Sequence, residues 1–174
     1  SGSGALIATI STEAGPIHCE LYGGDAPLSV ANFVGLARGI LPWEDPQTGD
    51  LVYETPFYDG LTFHRVIPEF MIQGGDPKGN GTGDPGWQLE TEVSPALHFD
   101  RPGVLAMANA GAGTTGSQFF ITEIPTDWLD GQFSIVGYCD GLDVVMQIAR
   151  VPRHGNDAPS ERERIQKIEI PRPP

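Results

Sequence analysis

The most informative segment of this 174-residue chain lies at residues 63–76 and runs Phe63-His64-Arg65-Val66-Ile67-Pro68-Glu69-Phe70-Met71-Ile72-Gln73-Gly74-Gly75-Asp76. Alternate residues of a β-strand point to the same face of a sheet. A strand over residues 61–67 would therefore place Arg65 in an otherwise apolar row, between Phe63 and Ile67. A buried guanidinium is costly unless its five donors are hydrogen-bonded, so neutral amides or carbonyls should hold it. The alternative is an arginine that reaches solvent at a sheet margin or pairs with a carboxylate.

Two later segments carry residues that could complete a site with Arg65. In the strand-like run 118–122, Gln118 and Phe120 share one face, as an amide that orients Arg65 beside an apolar ring would require. The turn-like segment 126–131 contains Trp128 and Leu129, which could form the wall of a pocket. Each segment taken alone is more commonly part of a core or an ordinary loop.

Short apolar runs between turn signals predict an antiparallel, β-rich fold. Residues 6–10 and 17–21 flank a Gly-Pro turn and predict a hairpin with one buried face. Apolar residues at helical spacing predict two helices, over 30–37 and 142–149. Residues 40–59 are polar and rich in Pro and Gly, which predicts a long loop. Six further runs are strand-like: 61–67, 70–73, 104–108, 118–122, 133–138 and 165–170. This pattern favours a closed or sandwiched antiparallel sheet over a parallel α/β fold.

Length and charge restrict the function classes. The chain is expected to form a single domain over residues 5–174, while residues 1–4, Ser-Gly-Ser-Gly, resemble a cloning remnant that could stand in place of a leader. Ten Lys and Arg residues against 23 Asp and Glu residues give a formal net charge of −13. Nucleic acid is therefore a poor candidate partner, because few cations could contact phosphates. The apolar runs are also too short to predict a membrane span.

The sequence motifs that could indicate a metal or cofactor site are weak in this chain. Cys19 and Cys139 lack zinc or redox spacing and are interpreted as small apolar strand residues, with a disulfide left open because sequence cannot test its geometry. The four histidines are scattered, which does not favour a metal site. Residues 111–116 satisfy the G-x-G-x-x-G pattern, but a strand-like run follows them, so no helix N-terminus would meet a pyrophosphate. No metal and no cofactor is expected.

Three strings in this order resemble the cyclophilin family of peptidyl-prolyl cis/trans isomerases. They are Phe-His-Arg-x-Ile-Pro-x-Phe-Met-x-Gln-Gly-Gly-Asp at 63–76, Met-Ala-Asn-Ala at 107–110 and Gly-Ser-Gln-Phe-Phe at 116–120. The resemblance extends over residues 6–170, and the long loop at 40–59 is most similar to that of bacterial members. It implies an all-β fold, a closed eight-stranded antiparallel barrel capped by two α-helices, with a proline groove on its outer surface.

The same resemblance implies roles for individual residues. Arg65 would be the catalytic arginine, Gln73 the amide that orients it, and Phe120 a catalytic wall of the proline pocket. The implied substrate-binding positions form a pocket wall, a groove for the residues before proline, and a rim: Phe70, Met71 and Leu129; Ala108, Asn109, Ala110 and Gln118; His64, Trp128 and Phe133. Phe133 stands where many family members carry a histidine, so a polar rim contact is absent and substrate preference stays open.

The expected function is peptidyl-prolyl isomerisation of folding or folded protein clients. Arg65 would hydrogen-bond to the twisted prolyl amide, and an apolar pocket would hold the ring, so the reaction requires no general base. The expected partners are proline-containing peptides and proteins, with cyclosporin as a further ligand near Trp128, and a monomer is expected. Two alternatives remain: a proline-peptide binding module whose catalysis is incidental, and a structural β-barrel that binds no proline peptide.

Overall fold

A computed structural model describes residues 5–172, so the expected cloning remnant at residues 1–4 lies outside the described residues. Strands dominate the chain, and two α-helices and one short 3₁₀ helix at Asp127–Leu129 interrupt them. In chain order the elements are β1 (Leu6–Thr12), β2 (Gly15–Leu21), α1 (Pro27–Ala37), β3 (Trp43–Glu44), β4 (Leu51–Val52), β5 (Arg65–Ile67), β6 (Met71–Gly74), β7 (Val104–Met107), β8 (Phe119–Thr122), β9 (Ser134–Cys139), α2 (Leu142–Ala149) and β10 (Ile165–Glu169).

The first hairpin and both helices confirm the sequence-based predictions. β1 and β2 pair in register from Leu6 with Leu21 to Thr12 with Gly15. α1 begins with a proline in its first turn, and the backbone N–H groups of Leu28 and Ser29 donate to the carboxylate of Glu92 at 3.2 and 2.5 Å. Glu92 is far away in the chain, so this cap could not be predicted from local sequence.

Eight of the strands form one antiparallel sheet in the order β10-β1-β2-β9-β7-β8-β6-β5. The sheet curls, but its end strands β5 and β10 are not paired with each other, so the expected closed barrel is not confirmed. The segments that precede these strands do meet, through a bridge between Thr62 and Arg164 and a hydrogen bond from Phe63 N to Glu163 O at 2.8 Å. β3 and β4 form a separate two-stranded ladder within the predicted long loop.

The strand predicted over 61–67 is regular only from Arg65 onward. Phe63 and Val66 both lie in the same core cluster with almost no exposed surface, although they are three residues apart. Strand alternation cannot bring residues three apart to one face, so the chain breaks its regular conformation around His64. The expected apolar row therefore does not form, and Arg65 is exposed rather than buried between Phe63 and Ile67.

Apolar side chains pack into two clusters on the two faces of the sheet. The inner cluster lies between the sheet and the helices and includes Phe33 of α1, Val145 of α2 and Phe119 of β8. The outer cluster is smaller and centres on Met71, Phe120 and Ile135, together with loop residues. Because both faces are covered, every residue of β7 and β8 is buried.

Cys19 and Cys139 are directly opposite each other in the β2–β9 ladder and are joined by a disulfide. Both cysteines lie in strands, as interpreted, and the disulfide that the sequence left open is formed. Tertiary pairing of strands separated by 120 residues brings the thiols together, and local sequence contains no sign of that pairing. Within residues 5–172, neither helix has the length and apolar character that a membrane crossing requires.

Candidate active site

Arg65, Gln73 and Phe120 lie side by side across three adjacent strands. Arg65 of β5 is opposite Gln73 of β6 in the antiparallel register, and Gln73 is in turn opposite Phe120 of β8. Residues directly opposite in a sheet project to the same face. The hairpin therefore places a cation, an amide and an aromatic ring in one row on the outer face, and these are the three residues predicted as catalytic.

A chain of amide hydrogen bonds orients the row. Arg65 Nη1 donates to Gln73 Oε1 at 3.4 Å, and Gln73 Nε2 donates to Gln118 Oε1 at 3.1 Å. Gln118 Nε2 then donates to the carbonyl oxygens of Gly81 and Gly83 at 3.1 and 3.0 Å. The two carbonyls determine which way the amide of Gln118 points, and Gln118 determines the orientation of Gln73. The first bond is long for a hydrogen bond, so most donors of Arg65 remain available to a ligand.

An apolar pocket of about 180 Å³ lies beside Arg65. Its other walls are residues that the resemblance assigned to the proline pocket or to its margins: Phe70, Met71, Gln73, Ala108, Asn109, Phe120, Leu129 and Phe133. Met71 and Phe120 are 2% and 4% exposed, so the floor of the pocket is apolar and shielded from water. A small apolar ring could be held there within reach of the guanidinium.

A second cavity, of about 350 Å³, continues from the pocket and shares Gln73, Ala108 and Asn109 with it. Ala110 and Gln118, both predicted for the groove, line this second cavity. Together the two cavities form a continuous surface depression that could hold a short extended peptide.

Two predicted rim residues, Trp128 and His64, are not part of the pocket lining. Trp128 does not line the pocket but is 61% exposed, with its ring 6.2 Å from that of Phe70. His64 is 9% exposed and lines a separate cavity rather than the proline pocket. His64 is buried whereas the adjacent Arg65 is exposed, as expected for neighbouring residues of an extended chain, whose side chains project to opposite sides.

Burial lowers the pKa of His64 below its ordinary value of 6.5, because desolvation disfavours the charged ring. The negative charge of Asp76 opposes this effect, and the positive charge of Arg65 adds to it. His64 is therefore held toward its neutral form.

Phe99 supports the pocket from behind and was not predicted from sequence. Its ring stacks on that of Phe120 at 5.9 Å and meets Phe133 edge-on at 6.4 Å, and it has no exposed surface. Phe120 and Phe133 also pack edge-on at 5.2 Å. An aromatic residue in the polar segment around His98 and Asp100 was the available signal, because such a ring in a loop usually packs against something.

The buried carboxylate of Glu123 holds the turn between β5 and β6, where Phe70 begins the pocket wall, and it is paired with the partly exposed Arg150. Glu123 N donates to Phe70 O at 2.9 Å, and a carboxylate oxygen of Glu123 accepts from Glu69 N at 3.3 Å. Arg150, at the end of α2, donates to the other oxygen at 2.6 Å and neutralises the carboxylate. Glu69 has a positive φ of 60°, which is uncommon for a residue with a side chain, so these contacts stabilise a particular turn geometry.

Gly74 and Gly75 allow β6 to pass close to its neighbours. A Cβ atom on Gly74 would lie 2.7 Å from the carbonyl oxygen of Thr62, which no side chain could tolerate without movement. Gly75 has a φ of +83°, in the region that favours glycine. The glycine pair therefore serves the packing behind Gln73 rather than contacting the pocket.

Known proteins of one family are similar to this chain over almost its whole length. The family model for cyclophilin-type peptidyl-prolyl cis-trans isomerases matches residues 7–170. The chain is 47% identical over 169 residues to peptidyl-prolyl cis-trans isomerase B of Streptomyces anulatus, covering 95% of this chain and 96% of that protein. It is also 47% identical over 166 residues to peptidyl-prolyl cis-trans isomerase A of Mycobacterium tuberculosis, covering 94% of this chain and 91% of that protein. The predicted resemblance, including its bacterial character, is confirmed.

Solved structures that are similar to this chain belong to the same family. A cyclophilin-type isomerase of Cryptosporidium parvum superposes with a TM-score of 0.82 at 31% identity, covering 98% of this chain and 99% of that one. A second structure of that protein, determined in the presence of the dipeptide Ala-Pro, gives a TM-score of 0.80 at 31% identity over 95% and 99% of the two chains.

Proposed function

The chain belongs to the cyclophilin-type peptidyl-prolyl cis-trans isomerases, and from that membership we propose that Arg65 accelerates rotation about X-Pro bonds by hydrogen bonding to the twisted amide. The observation that carries this proposal is the row of Arg65, Gln73 and Phe120 at the edge of an apolar pocket. No bond is made or broken in the reaction, so the site needs only to bind the twisted amide better than the planar one.

The size of the required effect is within reach of such a site. Rotation about an X-Pro bond has a barrier of roughly 20 kcal/mol and takes tens to hundreds of seconds without catalysis. A turnover of about 10³ s⁻¹ would require about five decades of acceleration, or roughly 7 kcal/mol at 1.36 kcal/mol per decade. One well-placed donor to a developing charge typically supplies about 3–4 kcal/mol, so Arg65 could provide about half.

Arg65 favours the transition state because the prolyl nitrogen gains a lone pair only when the amide twists. In the planar amide that lone pair is delocalised into the carbonyl, and a guanidinium donor has little to bind. The amide chain from Gln118 through Gln73 holds Arg65 in place while its other donors stay available. The hydrogen bond is therefore stronger in the twisted state than in the ground state.

The apolar walls of the pocket would supply the rest of the transition-state stabilisation. Met71, Phe120 and Leu129 would hold the proline ring still while the preceding carbonyl rotates. They also exclude water, which stabilises the charge-separated planar amide more than the twisted one. The residues before proline would extend along the cavity lined by Ala108, Ala110 and Gln118. The Cryptosporidium parvum structure obtained with Ala-Pro supports a proline dipeptide as the minimal unit bound here.

The proposal extends to the range of ligands. Proline segments of folding or folded proteins would be clients, and cyclosporin would occupy the same pocket with Trp128 at its margin, 61% exposed. Every wall of the pocket comes from one chain, so a monomer is sufficient for activity. Trp128 fluorescence, followed during titration with cyclosporin or an Ala-Pro peptide, should change; no change with either would contradict this ligand range.

Replacement of Arg65 tests the mechanism directly. Arg65→Ala should lower kcat/KM for a short X-Pro peptide by about 10²- to 10³-fold, the usual cost of removing one such donor, as measured by exchange NMR. Arg101→Ala is the matched control, because Arg101 is exposed and pairs with Asp100 away from the pocket.

The circular dichroism spectra of both variants should match that of the parent protein. Undiminished turnover in Arg65→Ala would refute the role of Arg65. Tight binding of a proline peptide with negligible exchange enhancement by the parent protein would instead favour a binding module.

A further inference from the structure

A third cavity, of about 360 Å³, lies apart from the proline pocket and its groove. It is surrounded by residues of three segments, 60–64, 76–79 and 158–164, together with Gln47, and none of its lining residues is shared with the pocket or the groove. Its volume is within the range of small-ligand sites in proteins. No step of the isomerisation described above uses it.

Three of the ten lysines and arginines of the chain line this cavity: Lys78, Arg162 and Arg164. None of the three forms an ion pair with a carboxylate in the part of the chain that the structure describes, whereas Arg101, Arg150, Arg153 and Lys167 all do. The chain contains 23 acidic residues, so carboxylates of the same chain that could pair with these cations are abundant. Three exposed cations without a carboxylate partner are therefore gathered around one cavity, where they make the local potential favourable for an anionic ligand.

The one carboxylate in the cavity wall is already engaged. Asp76 is 1% exposed, and its two oxygens accept hydrogen bonds from the backbone N–H groups of Lys78, Asn80 and Gly81 at 2.8, 3.0 and 2.5 Å. Asp76 therefore organises the loop that carries Lys78, and its charge is partly satisfied by three amides. The lining keeps an excess of positive charge.

His64 provides an independent observation in the same wall. Its side chain lines the cavity, is 9% exposed, and has no hydrogen-bond partner at either Nδ1 or Nε2 among residues 5–172. Buried polar groups in proteins almost always have partners, and an exception calls for an explanation.

We propose that this cavity binds a phosphorylated ligand through its dianionic phosphoryl group, held by Arg162, Arg164 and Lys78 with His64 as a further hydrogen-bonding group. A phosphoryl group carries close to two negative charges and three terminal oxygens, which match three cations better than a single carboxylate does. The planar guanidinium groups suit paired oxygens, and the ammonium group acts as a point charge. The remaining volume accommodates the group that carries the phosphate.

The phosphoryl group could belong to a small phosphate ester or to a phosphorylated side chain of a protein. Titration of ¹⁵N-labelled protein with O-phosphoserine tests the first source, and titration with a proline-free phosphoserine peptide tests the second. Either probe should shift the amide signals of residues 60–64, 76–79 and 158–164 and the ring signals of His64. The unphosphorylated peptide should shift none of them. Binding of the phosphopeptide alone would identify a protein segment as the ligand.

Arg162→Gln is the principal variant, because the Arg162 side chain makes no hydrogen bond within residues 5–172 and its loss should not affect folding. It should weaken binding about tenfold, equivalent to 1.4 kcal/mol. Arg164→Gln should do the same, although it also removes the hydrogen bond from Arg164 Nη1 to Gly60 O at 3.1 Å. Lys78→Gln should have a smaller effect, because Lys78 also faces a depression lined by Glu44 and Asp84.

Arg101→Gln removes an equal charge outside the cavity and should leave binding unchanged. Raising the ionic strength from about 0.01 M to about 0.1 M should weaken binding, because the Debye length falls from about 30 to about 10 Å. The proposal is overturned if neither phosphorylated probe shifts the cavity residues, or if Arg162→Gln binds as tightly as the parent protein. Isomerase activity of Arg162→Gln should be normal, so this test is independent of the proposed mechanism.

Discussion

In strand β8, Phe119 lies in the inner cluster and Phe120, the next residue, lies in the outer cluster and lines the proline pocket. The inner ring is enclosed by other aromatic rings, with Phe33 at 5.7 Å and Tyr58 at 5.5 Å, and has no exposed surface. The outer ring is covered by loops that contribute Phe99 and Phe133, and it stays 4% exposed at the pocket.

The difference lies in what covers each face of the same strands. Two helices pack against the inner face and exclude solvent from it. The inner face therefore contributes to the stability of the fold and does not form part of the binding site. Only loops and the short Asp127–Leu129 helix cover the outer face, and they leave a gap of about 180 Å³ beside Arg65. A sheet can thus be buried on both faces and still hold a binding pocket on one of them.

Adjacent phenylalanines offer the sharpest test of this division. Phe119→Ala should lower the free energy of unfolding by about 3–5 kcal/mol, because it leaves a cavity in an enclosed core. Its kcat/KM per folded molecule should change little. Phe120→Ala should lower kcat/KM about 10- to 100-fold, from the loss of roughly 1.5–3 kcal/mol of apolar contact with the proline ring, and should destabilise less.

Urea unfolding and exchange NMR on an X-Pro peptide measure the two effects separately, and each variant serves as the control for the other. If both variants lost activity in proportion to their stability, the two faces would not have separate roles.

The disulfide provides a second test on the inner face. Cys19 belongs to the inner cluster, Cys139 packs against that cluster, and the bond joins residues separated by 120 positions. Reduction should lower the free energy of unfolding by about 2–4 kcal/mol, because the unfolded chain gains freedom when a long loop opens. Activity of the folded protein should be retained, because neither cysteine lines the pocket.

The control is the double variant Cys19→Ala with Cys139→Ala, whose unfolding midpoint should not respond to reductant. A parent protein equally insensitive to reductant would show that the bond does not contribute to stability.

The smallest expected effect is a pH dependence caused by His64. Burial lowers its pKa in the folded protein below 6.5, so below that pH the unfolded chain binds more protons than the folded one. The contribution of His64 to the free energy of unfolding should therefore be constant above pH 6.5. Below that pH the free energy of unfolding should decrease, by at most about 1.4 kcal/mol per pH unit for one proton.

His64→Gln should remove that part of the slope, while the other three histidines remain as an internal control. Urea unfolding at several pH values gives the slopes, and their comparison does not depend on the overall stability of the variant. Identical slopes for the parent and the variant would contradict a buried, neutral His64.

Much of the fold could be predicted from the pattern of apolar residues in the sequence. The hairpin, the two helices and most strand positions were predictable because Pro27 and the regular spacing of apolar residues act through local conformational preferences. The pocket residues followed from the resemblance of three strings, and eleven of the thirteen predicted site residues line the pocket or its groove.

Arg65, His64, Phe99 and Glu92 show which features could not be predicted from sequence. A strand extrapolated from alternation gave the wrong burial for Arg65, because the chain leaves the strand conformation just before β5. The family resemblance placed His64 at the rim of the proline pocket, whereas the structure places it in the wall of a separate cavity. Phe99 supports the pocket and Glu92 caps α1 from distant positions in the chain, so the partner of neither residue could be predicted from local sequence.

The sequence alone determined which segments become strands and helices, and it contains the three motifs that identify the family. Both kinds of information lie in residues that are close together along the chain. Only the tertiary structure decided that Cys19 meets Cys139, that the curled sheet leaves β5 and β10 unpaired, and that His64 faces a basic cavity rather than the proline pocket. Those outcomes depend on how strands far apart in the chain pack against one another, and this is settled by the burial of whole faces rather than by any local pattern.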